Sequence, residues 1–114
     1  MNIAIIGSGL TGSLAAISLA KAGCRVDLYE RLSDDELVNR DRTYAITHSS
    51  RKILEKIGIW PYLISDLIPF HDLYLIDYEL NKTVQFNYNN LIRKDRKYKA
   101  VGWIAQHTKI MLSI

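Results

Sequence analysis

The sequence predicts an α/β fold in which a βαβ unit carries an inserted antiparallel β-hairpin. Three observations support this prediction: a glycine turn that directly follows a short apolar strand, a small apolar helix behind that turn, and a later stretch with period-two alternation. The chain has 114 residues, enough for one small domain. Its composition, 48% hydrophobic and 24% charged, is typical of a globular protein, and no apolar run is long enough to span a bilayer.

The first strand covers residues 3–6 and runs into the sequence Gly7-Ser8-Gly9-Leu10-Thr11-Gly12. In a Gly-x-Gly-x-x-Gly turn the first glycine permits the tight bend, and the second lets a phosphate approach the backbone. The third glycine lets the next helix pack close to the strand, and that helix presents its free N–H groups to an anion. We therefore predict a Rossmann-like turn that holds the pyrophosphate of an adenine dinucleotide through these six residues.

The surroundings of the turn agree with this prediction. Residues 13–22 are small and apolar, as a helix lying against a sheet must be, and Gly23 follows as a C-terminal cap. A second strand over residues 25–29 ends at Glu30, which lies 18 residues after Gly12. A spacing of about 20 is expected for a carboxylate that accepts hydrogen bonds from the adenosine ribose. The alternative is a tight turn in another kind of βαβ unit, with a surface glutamate there by chance.

The middle of the chain departs from the alternating pattern of nicotinamide-dependent dehydrogenases. Residues 33–42 are polar and irregular, and a helix is predicted from about residue 47 to 57, with Gly58 as its end. The apolar face of this helix is predicted to contain Ile46, Ile53, Leu54 and Ile57. A connecting segment then extends to Pro69.

Residues 71–88 alternate with period two on both sides of a turn at residues 80–82, which predicts an antiparallel hairpin. A further strand is predicted over residues 101–105, and Gln106 begins the last helix. The hairpin suggests a second layer over the cofactor, used for substrate binding or for packing. The predicted organisation is the first part of a nucleotide-binding domain over 1–69, the hairpin and a basic loop over 70–100, and a return to the first domain over 101–114.

The net charge of +3 is concentrated in residues 93–99, where five basic residues stand against one aspartate. This run favours a solvated loop, and contact with an anionic membrane surface is the alternative. Nucleic-acid binding is not predicted, because Tyr98 is the one aromatic residue nearby.

Other residues add little chemistry. The single Cys24 cannot form an internal disulfide, and residues 1–2 lack the basic start of a signal peptide, so a cytoplasmic protein is expected, with peripheral contact at the inner membrane face as an alternative. His48, His71 and His107 show no metal-ligand spacing and are predicted to be surface or locally bonded. No metal site and no nucleophilic triad is predicted.

The order of motifs resembles the flavin-dependent aromatic hydroxylases, and within them the ubiquinone-biosynthesis branch (2-polyprenyl-6-methoxyphenol hydroxylase-like). The resemblance rests on the glycine turn, on Glu30-Arg31, and on the block from Asp41 to Pro61. That block contains Arg42, then Ala45-Ile46, Ser50-Arg51 and Gly58-Ile59-Trp60 in the order found in that branch. The resemblance covers essentially the whole chain and implies an incomplete flavin hydroxylase fold.

The resemblance also implies a cofactor and site residues. FAD would be the cofactor and NAD(P)H the reductant, and one oxygen atom of O₂ would be inserted into an electron-rich ring. Gly7, Gly9 and Gly12 would hold the pyrophosphate, Glu30 the ribose, and Arg31 would lie by the adenine. Arg42 would reach the phosphate and ribityl region, and Gln106 would supply a further polar contact. Because the cofactor carries the reaction, no catalytic side chain is predicted.

Members of this family have downstream Asp-Gly and Gly-Asp segments and most of a substrate sheet, and these are not found before Ile114. The last predicted helix covers about two turns, and a free-standing chain would expose Ile110, Met111 and Ile114. We therefore expect the N-terminal part of a larger enzyme acting on a small aromatic or quinone-precursor substrate, with the missing C-terminal part as its partner. By itself the chain should bind FAD weakly and hydroxylate nothing. The alternatives are a non-catalytic truncated remnant and an NAD(H)-binding module.

Overall fold

The computed structural model describes all 114 residues, and they form three small sheets surrounded by short helices. The elements in chain order are β1 (Asn2–Ile6), α1 (Leu10–Lys21), β2 (Arg25–Tyr29), α2 (Asp34–Val38), β3 (Thr43–Thr47), α3 (His48–Lys56), α4 (Trp60–Leu63), β4 (Ile68–Phe70), β5 (Asp72–Asp77), β6 (Lys82–Asn87), β7 (Gly102–Gln106) and α5 (His107–Ser113). Short 3₁₀ turns cover Ile64–Asp66, Tyr88–Asn90 and Arg96–Tyr98.

The predicted βαβ unit is confirmed. Strands β1 and β2 pair in parallel, with Ile3 opposite Val26, and α1 connects them. The helix begins at Leu10, three residues before its predicted start. This early start places the helix N-terminus inside the glycine turn itself.

The helix predicted from about residue 47 to 57 is confirmed as α3, but the apolar face predicted for it is partly wrong. Residues 43–47 form β3, which pairs antiparallel with β7, and α3 begins only at His48. Ile46 therefore lies in a strand, opposite Trp103, and Ile53 is 60% exposed instead of facing the core. The pairing with β7 gives the backbone of residues 43–47 hydrogen-bond partners that a local pattern does not reveal.

A short helix, α2, occupies the first half of the segment 33–42 that was predicted to be irregular, and residues 39–42 are irregular as predicted. The Ser33 hydroxyl accepts a hydrogen bond from the Glu36 amide, and the Glu36 carboxylate accepts one from the Ser33 amide. This capping box begins α2, whose Leu37 is buried. The Ser-x-x-Glu spacing was visible in the sequence and is a recognised start signal for a helix.

The hydrophobic core lies between the three-stranded sheet and helices α3, α4 and α5. The Trp60 and Trp103 rings pack edge to face with centroids 4.9 Å apart, and Leu63 is fully buried beside them. Ile110 of α5 is also buried, which corrects the expectation that this helix would expose it. Leu112 is the exposed apolar residue of this helix, while Met111 and Ile114, which follows the helix, are partly buried.

The predicted hairpin is confirmed as β5 and β6, with Leu73 opposite Phe86 and Leu75 opposite Val84. These four residues share one face, yet each remains at least one-third exposed. Strand β4 pairs instead with β7, so the hairpin forms a sheet of its own. No helix in the structure has the length and apolar character that crossing a membrane requires.

The prediction that the histidines are at the surface or locally bonded is correct for His71, which is exposed, holds for His48 only in its bond from Arg51, and is wrong for His107. His48 and His107 are buried and bond to backbone carbonyls far away in the sequence. His48 Nε2 donates to the Ala100 carbonyl at 2.7 Å, and its Nδ1 accepts from Arg51 Nε at 3.2 Å. Burial satisfied by such non-local bonds cannot be read from the spacing of histidines along the chain.

Candidate dinucleotide site

The glycine turn connects β1 to α1 in the conformation that its sequence predicts. Gly7 adopts a φ of +100°, a backbone conformation that side chains strongly disfavour. A Cβ atom on Gly12 would collide with the Gly7 carbonyl oxygen and contact the Ile5 side chain. These two glycines are therefore required by the fold, one for the bend and one for the close approach of helix and strand.

Gly9 has a different role, because a Cβ atom built there meets no protein atom within 4 Å. Its φ of −63° is also available to other residues. The fold therefore does not require a glycine at this position, and the open space beside its backbone is available to a ligand.

The N-terminus of α1 offers free donors to that space. The first helical hydrogen bond runs from the Ser13 amide to the Gly9 carbonyl at 2.9 Å, so the amides of Leu10, Thr11 and Gly12 have no acceptor in the chain. The Ser13 hydroxyl donates to the Ser8 carbonyl at 2.8 Å and holds the turn in place. Three free amides at the positive end of a 12-residue helix form a site suited to a phosphate.

Glu30 lies across from this turn, at the end of β2. Its Oε1 accepts hydrogen bonds from the amides of Arg31 at 2.7 Å and Leu32 at 2.8 Å, and its Oε2 accepts from the Ser8 amide at 2.7 Å. Hydrogen bonds from the Leu32, Ser8 and Arg31 amides lower the pKa of Glu30 to about 2. The carboxylate is thus ionised at physiological pH and exposed, as an acceptor for ribose hydroxyls must be.

A cleft of about 610 Å³ lies between the glycine turn and the connection from α2 to β3. Its lining residues come from the turn, from the start of α1, and from the far wall: Ile5, Ile6, Gly7, Gly9, Leu10, Thr11, Gly12, Ala15, Arg40, Arg42, Tyr44 and His107. Arg42 therefore lines the same cleft as the helix N-terminus, and the contact that the resemblance implies for it stays a prediction. Arg40 lines it too and was not predicted. Two arginines in the wall of a cleft that also contains three free amides favour an anion there.

Arg42 also lines a second, fully polar cleft of about 340 Å³ together with Gln106. The two residues are brought together by strand pairing, because Thr43 lies opposite Gln106 and the His107 amide donates to the Arg42 carbonyl at 2.8 Å. On the other side of the turn, Gly7, Glu30 and Arg31 line a third depression. Shared walls join the three clefts into one elongated surface with the glycine turn at its centre.

The six predicted residues of the glycine turn, residues 7–12, differ in their contacts and in their exposure. The backbone of Ser8 is engaged by Glu30, and Leu10 packs its side chain partly against the core. Thr11 is exposed on the first turn of α1. The backbone amides, more than these side chains, are thus the groups offered to a ligand.

Tyr44 and His107 form a pair in the wall of the main cleft that sequence reasoning missed. His107 Nε2 donates to the Leu37 carbonyl at 2.6 Å, so in the neutral ring Nδ1 is free to accept from the Tyr44 hydroxyl at 2.9 Å. This chain of bonds ties α5 and β3 to α2 at the edge of the cleft. Its only sequence signal was His107 at the start of the last helix.

Comparison with known proteins gives one family match, several related sequences and several related structures. Residues 5–34 match the NAD(P)-binding Rossmann-like domain family. Kynurenine 3-monooxygenase of Drosophila melanogaster is 37% identical over 87 residues, which is 73% of this chain and 19% of that protein. Ubiquinone hydroxylase UbiM of Neisseria meningitidis is 36% identical over 76 residues, which is 64% of this chain and 15% of that protein.

Among solved structures, Klebsiella pneumoniae HpxO in complex with FAD and uric acid matches with a TM-score of 0.70 and 18% identity. The match covers 98% of this chain and 27% of HpxO. The predicted α/β fold, with its Rossmann-like unit and inserted hairpin, is confirmed as that of the corresponding part of flavin monooxygenases. The chain spans about a fifth of the length of the curated relatives described above.

The resemblance to flavin-dependent monooxygenases as a group is thus confirmed. Relatives of two kinds, the kynurenine 3-monooxygenases and a ubiquinone hydroxylase, match the chain, so the comparison does not single out the ubiquinone branch. HpxO was solved with FAD bound, and its likeness to this chain, at 18% identity, is one of fold.

Proposed function

We propose that this chain is the N-terminal FAD-binding portion of a flavin-dependent monooxygenase that hydroxylates an aromatic ring, with a quinone-biosynthesis intermediate as the substrate class. One observation carries the proposal. The clefts around the glycine turn form a continuous surface, with Glu30 and Arg31 at one end and Arg42 and Gln106 at the other. An extended ligand with a nucleoside, a pyrophosphate and a polar chain has the matching order of groups.

The residues fit FAD in both position and chemistry. The open space beside Gly9 and the free amides of α1 would hold the pyrophosphate without a basic side chain from the turn. Glu30 would exchange its bond from the Ser8 amide for bonds from the ribose hydroxyls, and Arg31 would flank the adenine. Arg42 would hold the phosphate and ribityl side as a planar, bidentate donor. When bound, FAD supplies the redox chemistry with O₂, after reduction by NAD(P)H.

The aromatic substrate class follows from relatives and not from this chain's own residues. HpxO was solved with uric acid, and a ubiquinone hydroxylase is among the relatives, which supports an aromatic or quinone-precursor substrate. The chain's own contribution is to bind and orient the cofactor. By itself it is expected to bind FAD weakly and to have no hydroxylase activity.

An NAD(H)-binding module is the second candidate, because residues 5–34 match a family described as NAD(P)-binding. Both dinucleotides share the ADP half, so the glycine turn and Glu30 cannot separate them. Arg42 and Gln106 line the cleft next to the one that contains the glycine turn, where the half of the ligand that differs between FAD and NAD(H) would lie. Both dinucleotides extend past the pyrophosphate toward them, so the relative affinity for FAD and NADH separates the two candidates.

The test is amide chemical-shift mapping of the chain with ADP, FAD and NADH at millimolar concentrations, which detects weak binding. ADP should shift the amides of residues 8–12 and 30–32, and FAD should in addition shift those of Arg42 and Gln106. The Arg42→Gln substitution should weaken FAD binding more than ADP binding, because Arg42 lines both the cleft of the helix N-terminus and the cleft that contains Gln106. Arg25→Gln, on the exposed face of β2, is the matched control and should change neither. Tighter binding of NADH than of FAD, or shifts that avoid the glycine turn, would contradict the proposal.

A further inference from the structure

Residues 91–99, here called the basic loop, carry more outward positive charge than the sequence suggests. Asp95, the one acid in the run, points inward and is only 5% exposed. Its Oδ1 accepts from Arg51 Nη2 at 2.8 Å and its Oδ2 from Lys52 Nζ at 3.2 Å, both on α3. All five basic side chains of residues 93–99 are exposed, and none of the five forms an ion pair. The acidic residue near them is Glu55 of α3, on the side of Lys97.

The basic loop is also fixed in position. The Tyr98 ring lies 4.0 Å from the Arg51 guanidinium, its hydroxyl donates to Glu55 at 3.0 Å, and its edge packs on Trp103 of the core. At the far end, the Lys99 carbonyl is bonded to His71 at 2.6 Å. The loop is thus anchored through Asp95 at its middle and through Tyr98 and Lys99 at its end. A loop that is already held in place loses less conformational freedom when it binds a partner.

An exposed apolar residue, Ile92, directly precedes the basic residues of the loop. Ile92 is 59% exposed and directly precedes Arg93 and Lys94, both of them exposed. Exposed lysines and arginines around a protruding apolar side chain match an anionic bilayer surface, where the charges meet phosphate headgroups and the apolar group enters the interface.

The same contacts disfavour a nucleic acid as the partner. Binding to single strands relies on aromatic rings that stack on bases. The only aromatic ring in residues 91–99 is Tyr98, and Arg51, Lys97 and Trp103 already surround it. A flat anionic surface needs no free ring.

We propose that the basic loop binds the surface of an anionic phospholipid bilayer, with Arg93, Lys94 and Lys99 as headgroup contacts and Ile92 as the inserted residue. The proposal does not depend on FAD, since the loop is anchored to α3 and the core and not to the dinucleotide clefts. It assigns the loop to peripheral attachment of the protein at a membrane.

The experiment is sedimentation of the full chain with vesicles of phosphatidylcholine alone and with vesicles that contain about one-third phosphatidylglycerol. The test variant carries Arg93→Gln, Lys94→Gln and Lys99→Gln, and the control carries Lys21→Gln, Arg25→Gln and Lys82→Gln. Both lower the net charge from +3 to 0 by changing exposed residues only. Ile92→Asn forms a further variant.

The chain should bind the anionic vesicles and not the neutral ones, and binding should weaken as salt is raised. Each basic residue near an anionic surface contributes a factor of about five to partitioning, so the test variant should bind on the order of 100-fold more weakly. The control should stay within a few-fold of the unmodified chain, and Ile92→Asn should bind a few-fold more weakly. Equal loss in test and control variants, no binding to anionic vesicles, or tighter binding to a single-stranded oligonucleotide would overturn the proposal.

Discussion

Alanine substitutions at Gly9 and Gly12 separate the ligand-binding role of the glycine turn from its structural role. A methyl group at Gly9 meets no protein atom within 4 Å, and its backbone is in the extended region. Gly9→Ala should therefore lower the free energy of unfolding by no more than about 1 kcal/mol, the preference for glycine over alanine at a helix N-cap. At Gly12 the methyl group would collide with the Gly7 carbonyl, so Gly12→Ala should cost about 1–3 kcal/mol or more.

Gly9→Ala should affect ligand binding much more than it affects the free energy of unfolding. A phosphate bonded to the free amides of α1 must pass beside the Gly9 backbone, in the space that the new methyl group would fill. Loss of one charge-assisted hydrogen bond costs about 1.5–3 kcal/mol, which corresponds to roughly 10- to 100-fold weaker binding of ADP.

The assay combines urea unfolding with an ADP titration followed by amide chemical shifts, for the unmodified chain and both variants. Gly23→Ala, at a positive-φ position away from the clefts, controls for a purely conformational cost. If Gly9→Ala binds ADP within twofold of the unmodified chain, the glycine turn is not a phosphate site and the reasoning is refuted.

Three further predictions concern the remaining charges and buried bonds. In a urea titration at pH 7, Asp95→Ala should lower the free energy of unfolding by about 3 kcal/mol, because Arg51 stays buried and loses this partner. Asp66→Ala removes an exposed ion pair and, as the control, should change the free energy of unfolding by less than about 0.5 kcal/mol. Burial by itself would raise the pKa of Asp95, but the hydrogen bond and charge of Lys52, with the charge of Arg51, hold that pKa below its usual range. The stabilisation by Asp95 should therefore be complete above about pH 4 and be lost as the pH falls further, and a stability difference that persists unchanged at about pH 2 would contradict it. Tyr44→Phe should lower the free energy of unfolding by about 1–2 kcal/mol, since the buried His107 Nδ1 loses its donor, whereas Tyr62→Phe, at an exposed position, is the silent control in thermal unfolding. Because the Leu32, Ser8 and Arg31 amides lower the pKa of Glu30 to about 2, its carboxylate stays ionised, and ADP binding should not depend on its titration between about pH 4 and pH 7. Glu30→Gln should weaken ADP binding about tenfold, whereas Glu79→Gln should not. A fall in affinity with a midpoint near pH 4.5 that disappears in Glu30→Gln would show that the pKa of Glu30 is not lowered.

The first third of the fold was predictable because its signals are local. The bend at Gly7, with a φ of +100°, and the close approach of Gly12 to the Gly7 carbonyl both need a residue without a side chain. The glycines in the sequence therefore indicate this turn directly. The hairpin was equally visible, because period-two alternation on both sides of a turn admits few other structures. The capping box at Ser33 is a local signal too, and it indicates a helix more specifically than the polarity of the segment indicates a loop.

The rest depends on partners distant in sequence. Thr43–Thr47 becomes a strand because β7 supplies its hydrogen bonds, and the following helix starts only where that pairing ends. The same pairing brings Arg42 beside Gln106, and it places His107 where Tyr44 and the Leu37 carbonyl can both reach it. Arg40 and the inward turn of Asp95 follow from such tertiary contacts, so local patterns could not identify them.

The central claim is that this chain forms part of an FAD-binding enzyme. Native mass spectrometry of the product isolated from its source cells tests this most directly, because one spectrum gives both the polypeptide mass and any bound nucleotide. The account predicts a polypeptide several times heavier than 13.1 kDa that carries one FAD. A product of 13.1 kDa, or one of any mass that carries NAD(H) instead of FAD, would contradict it.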